Sequence, residues 1–247
     1  MKKLVFVSLA TVLATVGFPL GNTLMPIAIL SLNSTAQAAS PRKLQYRPFS
    51  KRGQVTGSAP GGKRGTCKDA QVALGDKLMA IAPLDSLGAS LSTTPTIWIY
   101  SPYTFPANKF KQPIQGELKV RVSSAAGGQI GEAVMVDLPM KPGLVKVQMT
   151  QPVKDGQPYD WSFTAKCGDA SANPMTASKI QIASDAKLVS ANQSQPQPQQ
   201  AANYADKGYW YDALTLTLQS QPIVESDLES LLQSGGLNPL VEKLRVK

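Results

Sequence analysis

The 247-residue sequence has no histidine, only two cysteines, and no acidic residue before Asp69. Without histidine there is no Ser-His-Asp or Cys-His nucleophile, no His-ligated zinc and no haem on a His ligand. Two cysteines alone are too few to ligate a structural zinc. A clean span of about 20 apolar residues, the length needed to cross a bilayer as a helix, is also missing. Leu4 to Leu20 is apolar and uncharged, but Pro19, Gly21, Asn22 and Pro26 interrupt what would continue it.

What is present at the N-terminus reads as an export signal. Lys2 and Lys3 precede the apolar run, and Ala36-Gln37-Ala38 offers small residues where a signal peptidase reads them. Cleavage after Ala38 is expected, so residues 1–38 are a signal peptide; the alternative is a retained anchor. No cysteine lies near the cut to carry a lipid. The expected destination is the periplasm or the extracellular space, with no transmembrane span left after cleavage. In that oxidising setting Cys67 and Cys167 pair in one way only, as a disulfide; the alternative is two inert buried thiols.

The lack of acids up front concentrates the charge. The formal charge is +9, from 25 Lys and Arg against 16 Asp and Glu. Nine of the bases lie in residues 1–65, and the remaining 182 residues hold 16 bases and 16 acids. Removing Lys2 and Lys3 with the signal leaves seven: Arg42, Lys43, Arg47, Lys51, Arg52, Lys63 and Arg64. They sit on a Pro/Gly/Ser-rich arm, residues 39–65, too polar to fold by itself. The arm is a candidate tether for an anionic envelope surface or polysaccharide, weighed against a merely solvated tail. A specific nucleic-acid partner is not expected, and an unidentified protein partner stays open.

Residues 66–189 read as short strands bounded by Gly, Pro, Asn or Asp. Seven are expected: Lys77–Ala82, Thr96–Ser101, Glu117–Val122, Glu132–Leu138, Gly143–Met149, Tyr159–Lys166 and Lys179–Ser184. Leu118, Val120 and Val122 alternate with charged neighbours, as do Val145 and Val147, which is the period of half-buried antiparallel strands. The fold class expected is mainly β with an α tail: an immunoglobulin-like antiparallel sandwich followed by two or three short helices. Cys167 falls on the same side of its strand as Trp161 and Phe163. Ile97-Trp98-Ile99-Tyr100 is apolar throughout, so both its faces require cover. Residues 190–200 (SANQSQPQPQQ) read as a Gln/Pro linker. Residues 201–247 read as a helical tail packed on the sandwich. It comprises a helix over Ala201–Leu218, a second opened by a Ser226-x-x-Glu229 capping box and stopped by Gly235-Gly236, and a final turn over Pro239–Leu244.

Several motifs in this order resemble one family. They are GGKRGTC (Gly61–Cys67), a Pro-Thr-x-Trp-x-Tyr-x-Pro-Tyr strand (Pro95–Tyr103), a Pro-Gly turn before a strand (Lys141–Met149), Tyr-x-Trp-x-Phe…Cys (Tyr159–Cys167) and Gly-Tyr-Trp-Tyr-Asp-Ala-Leu (Gly208–Leu214). The sequence is similar over roughly Thr56 to Val241 to cyanobacterial secreted proteins carrying domain of unknown function 928. That resemblance implies export, a β domain and a helical tail, and carries over no catalytic residue.

Catalytic motifs are sparse. Gly57 to Lys63 matches the start of a phosphate-binding loop, but Arg64 stands where the Mg²⁺-binding hydroxyl belongs and no strand precedes it. Ser184-x-x-Lys187 lacks the partner motifs of a serine–lysine hydrolase. Glu117, Asp137, Asp155 and Asp160 fall on turns or polar faces, with nothing to pair them for glycoside hydrolysis. Trp98, Tyr100 and Tyr103 form a candidate aromatic platform for sugar rings, against which stands a reading as core residues. The function expected is therefore a non-enzymatic exported binding or scaffold protein with no cofactor. The alternatives are a carbohydrate-binding module on the aromatic strand and a hydrolase whose carboxylates the sequence hides.

Overall fold

The computed structural model describes residues 43–48, 67–73, 75–124, 127–168 and 173–245. The segment expected to be a signal peptide, residues 1–38, and most of the basic arm lie outside the described residues.

Eight strands form two sheets among the described residues. They are β1 (Met79–Ala80), β2 (Gly88–Ser90), β3 (Thr96–Ser101), β4 (Gln115–Val122), β5 (Val134–Asp137), β6 (Gly143–Gln148), β7 (Pro158–Lys166) and β8 (Met175–Ile182). One sheet runs β1-β3-β6, and the other β2-β8-β7-β4-β5. Each of the seven expected segments overlaps one strand. The eighth, β2, is three small residues with no alternation to reveal it, and it pairs in parallel with β8. An all-antiparallel seven-strand sandwich therefore does not describe the arrangement: one edge of the larger sheet is mixed.

The alternation of each strand decides what it buries. Tyr159, Trp161, Phe163 and Ala165 of β7 point inward while their neighbours reach the surface. Gly116 of β4 opposes this row because a Cβ there would lie 2.1 Å from the Phe163 ring. Between the sheets, the Ala80 amide donates to Thr176 Oγ1 at 3.0 Å, linking β1 to β8. Every residue of β3 is buried. Its Trp98 donates from Nε1 to Thr215 Oγ1 at 3.1 Å, so a helix covers that face.

Among the described residues five helices follow the strands: α1 (Ala186–Asn192), α2 (Gln197–Asp206), α3 (Trp210–Gln219), α4 (Glu225–Ser234) and α5 (Asn238–Arg245). The expected linker over residues 190–200 is corrected: it holds the end of α1, a tight turn over 193–196 and the start of α2. Its amide side chains act as ties: Asn203 Nδ2 donates to Asn192 Oδ1 at 2.7 Å, and Gln197 Nε2 to the Leu216 carbonyl at 2.8 Å. Asp185 caps α1 by accepting from the Leu188 amide at 2.9 Å. The single helix expected over Ala201–Leu218 is two helices. Gly208, at φ +85°, breaks it and re-phases the apolar stripe. The Ser226 capping box does not form either, because α4 begins at Glu225 with Val224 at its N-cap, and Glu229 pairs with Arg245 instead. The stop at Gly235-Gly236 has both bonds of a Schellman ending: Leu237 N to Leu232 O at 2.8 Å and Gly236 N to Gln233 O at 3.0 Å.

Helices and sheets share one hydrophobic core. Trp210 donates from Nε1 to the Ile81 carbonyl at 3.0 Å. Tyr211 accepts from Trp161 Nε1 at 3.0 Å and donates to the Lys179 carbonyl at 2.9 Å. Its burial pushes the Tyr211 phenol well above the usual tyrosine range.

Part of the basic arm belongs to this core, which corrects the expectation of a wholly unfolded tether. Leu44 and Tyr46 are buried, and Lys43, Gln45 and Arg47 alternate with them at the surface. The Tyr46 ring meets Trp210 edge-on at 5.0 Å, and its amide donates to Ser234 Oγ at 2.8 Å. The Arg47 amide donates to the Ala205 carbonyl at 3.0 Å, and its guanidinium pairs with Asp206 at 3.1 Å.

Candidate functional site

A polar cleft of about 240 Å³ opens where the turn from β2 to β3 meets helices α2 and α3. Its geometry starts from a close approach. Gly88 lies against the Tyr211 ring, where a Cβ would come within 2.9 Å, so β2 runs hard by the start of α3. One residue further along α3, Asp212 faces the following turn. Its Oδ2 accepts from the Leu91 amide at 2.9 Å and its Oδ1 from Ser90 Oγ at 3.3 Å. The turn supports itself: the Ser92 amide donates to Ser90 Oγ at 3.1 Å, and the Thr94 amide to Ser92 Oγ at 3.1 Å. On the adjacent wall, Gln148 accepts from the Thr96 hydroxyl and donates to the Thr94 carbonyl.

Asp212 stands in the first turn of α3, where the helix dipole favours a negative charge. Desolvation works the other way and dominates. Burial pushes its carboxyl up to about 6, against the pull of the hydrogen bonds from Leu91 and Ser90. The nearby Tyr209 phenol is pushed up to about 12 by burial and by the negative charges of Asp185, Asp212 and Asp155.

A second concavity, of about 310 Å³, lies among the ends of α3, α4 and α5. Leu218, Leu228 and Leu244 make it largely apolar, and the Glu229–Arg245 ion pair sits at its edge. Its polar lining is charged (Glu225, Glu229 and Arg245), whereas that of the first cleft is mostly hydroxyl and carboxamide.

The residues singled out in the sequence are placed as follows. Cys67 and Cys167 are bonded, their Cα atoms 5.2 Å apart, tying the segment that enters the fold to the end of β7. Trp98, Tyr100 and Tyr103 are only 8%, 4% and 3% exposed. They make no platform, because helix α3 and the neighbouring strands bury the faces that a sugar ring would need. Of the arm, Lys43 is exposed and Arg47 is paired with Asp206. Arg42, Lys51, Arg52, Lys63 and Arg64 lie outside the described residues. Among the described residues no group of three or more Cys, Asp or Glu is arranged to hold a metal ion, and no helix is long and apolar enough to cross a membrane.

Asp212 did not stand out in the sequence. The signal available was a lone carboxylate inside the apolar segment Gly208–Leu214, one of the motifs that carried the resemblance. Family comparison bears on the same segment: the family described as Domain of Unknown Function (DUF928) matches residues 59–244. The chain belongs to this DUF928 family. The matched region takes in the disulfide, both sheets, the cleft and nearly all of the helices, so the Asp212 cleft lies within the family's own domain. No curated protein matches the chain.

Proposed function

We propose that this DUF928 protein is an exported, non-enzymatic binding protein of the cell envelope or extracellular space. In this reading the two sheets act as an immunoglobulin-like scaffold. The polar cleft holds a small ligand, and the bases of the arm draw the protein toward an anionic surface. One observation carries the reading: among the described residues Asp212 is the single carboxyl lining a cleft whose other polar side chains are neutral hydroxyls and carboxamides. Hydrolysis of a glycoside by the usual route needs two carboxyls flanking one bond, and among the described residues no second one lines this cleft. The disulfide supports export, since such bonds persist in oxidising compartments.

Hydrogen exchange of the mature protein, residues 39–247, with and without envelope fragments tests the proposal. Slowed exchange across residues 88–96 and 200–216 is the expected result. Protection confined to other surfaces would remove the cleft from the function. Turnover of any component of the fragments that Asp212→Asn abolishes would make the protein an enzyme. A companion variant with Arg42, Lys43, Lys51, Arg52, Lys63 and Arg64 changed to Gln keeps Arg47, whose partner is Asp206. Its co-sedimentation with the same fragments should be weaker and less sensitive to salt.

A further inference from the structure

Resting on the reading of the cleft as a ligand site, we propose that its ligand is a neutral polyhydroxylated ring, a carbohydrate, anchored by the Asp212 carboxylate. The lining chemistry carries the argument by what each ligand class would meet there. Among the described residues no Lys or Arg lines the cleft, so an anion such as phosphate, sulfate or a uronate would sit beside Asp212 with nothing there to neutralise it. A metal cation of the hard kind takes six or more oxygens, commonly several of them carboxylate, and the described residues of this cleft supply one carboxyl already accepting three hydrogen bonds. An apolar ligand would strip water from a wall of hydroxyls and carboxamides and return no hydrogen bonds.

A sugar meets each of these groups with a match. Its hydroxyls both donate and accept. A carboxylate has about four acceptor positions, and the Leu91 amide, the Ser90 hydroxyl and the amide of Asp212 itself occupy three on Asp212. The remaining lone pair can take one sugar hydroxyl in a charge-assisted bond, which is stronger than a neutral one. Ser92 Oγ accepts from the Thr94 amide and retains its own proton to donate. Gln200 donates from Nε2 to the Gln195 carbonyl and retains its Oε1 as an acceptor. The wall is also preorganised, because Gln148 is fixed between Thr96 and Thr94.

Two features set the size and stacking. Tyr204 lines the cleft, its ring held edge-on by Tyr209 at 6.4 Å, and offers an aromatic face to the C–H side of a sugar. At about 240 Å³ the space is below the usual range for a drug-sized ligand. It therefore takes one ring of a longer glycan, with the rest of the chain in solvent. This site is distinct from the buried aromatic strand, whose Trp98 reaches the cleft wall only as the hydrogen-bond donor that orients Thr215.

The test uses the mature full chain, an array of neutral, uronic and sulfated oligosaccharides, and free glucose, galactose and mannose followed by saturation-transfer NMR. Neutral glycans should bind, with little change as salt is raised. Tyr204→Ala and Asp212→Asn should each weaken binding about ten-fold or more, equivalent to about 1.4 kcal/mol. Tyr204→Ala is partly exposed and keeps the Asp212 turn intact, so it serves if the Asp212 variant folds poorly. Binding of acidic glycans alone, lost with salt and in the arm variant, would overturn the carbohydrate assignment of the cleft. So would an absence of neutral-glycan binding while envelope fragments still protect residues 88–96 and 200–216; that outcome would leave the binding reading standing. No neutral-glycan binding and no protection of the cleft would remove both.

Discussion

Asp212 shows how one residue joins stability to the site. Its folded carboxyl titrates near 6 against an ordinary 3.8, because burial penalises the ion more than Leu91 and Ser90 favour it. The native state therefore holds the proton more tightly than the unfolded chain between those values. The resulting contribution is complete below about pH 4, and it is lost as pH rises toward 6. At neutral pH the buried ion costs about 3 kcal/mol. Asp212→Asn can keep the geometry, its carbonyl accepting from the Leu91 amide and its NH₂ donating to Ser90 Oγ. Melting temperatures of the two proteins measured from pH 4 to 7 should diverge, with the Asn variant gaining relative to the native chain as pH rises. Parallel curves would mean that the carboxyl titrates normally. The residue was hard to pick out beforehand for a topological reason. Its partners lie 121 and 122 positions away on a turn that no local pattern connects to α3. The cysteines were legible because two thiols leave a single pairing.

At the scale of elements, strands with clear alternation were legible and segments held by long-range polar ties were not. The period-two rows of β4, β6 and β7 state which side is buried. By contrast, Gln and Asn in residues 190–200 give no apolar stripe, yet the amides of Gln197 and Asn192 bond to α3 and α2 and hold the segment in place. The strap at residues 43–48 is a third case. Its alternation of Leu44 and Tyr46 with polar neighbours was visible, but it lies within an arm whose composition reads as unfolded. Tyr46→Ala tests the strap. The change removes the edge-on contact with Trp210 and the hydrogen bond shared with Ser86 at 3.2 Å. By analogy with other buried aromatic truncations, the loss should be about 3 kcal/mol or more. Chemical denaturation should show a lower midpoint, with proteolysis opening first near α2 and α3. An unchanged midpoint would reduce the strap to a surface decoration.

For the whole molecule, the decisive fact is that strands and helices are not separable modules. Trp161 of β7 has its indole nitrogen satisfied by Tyr211 of α3, and Ile81 has its carbonyl satisfied by Trp210. Truncation at Ser190 would leave those buried polar groups without partners and uncover the Trp98 face of β3. Each orphaned group costs about 1–3 kcal/mol, before the lost apolar contacts are counted. The truncated chain should therefore fail to accumulate as soluble protein, or bind a hydrophobic dye strongly. A soluble truncation with native-like near-ultraviolet dichroism would mean that the sheets fold alone.

The disulfide acts on the same undivided unit from its other end. Cys67 and Cys167 close a loop with a sequence separation of 100, which spans β1 to β7. Cross-linking a loop of that length removes denatured-state entropy worth up to about 4.7 kcal/mol in the chain-entropy account. Because the core is continuous, the loss on reduction should appear as one lower cooperative transition. A separate melting of sheets and helices is not expected. Native protein exported to an oxidising compartment should resist thiol alkylation. After reduction it should take up two alkyl groups, and it should melt at a lower temperature with a single transition. Two reactive thiols in the unreduced protein would remove the bond from the account. Two separate transitions after reduction would show that the disulfide, rather than the shared core, unites the molecule.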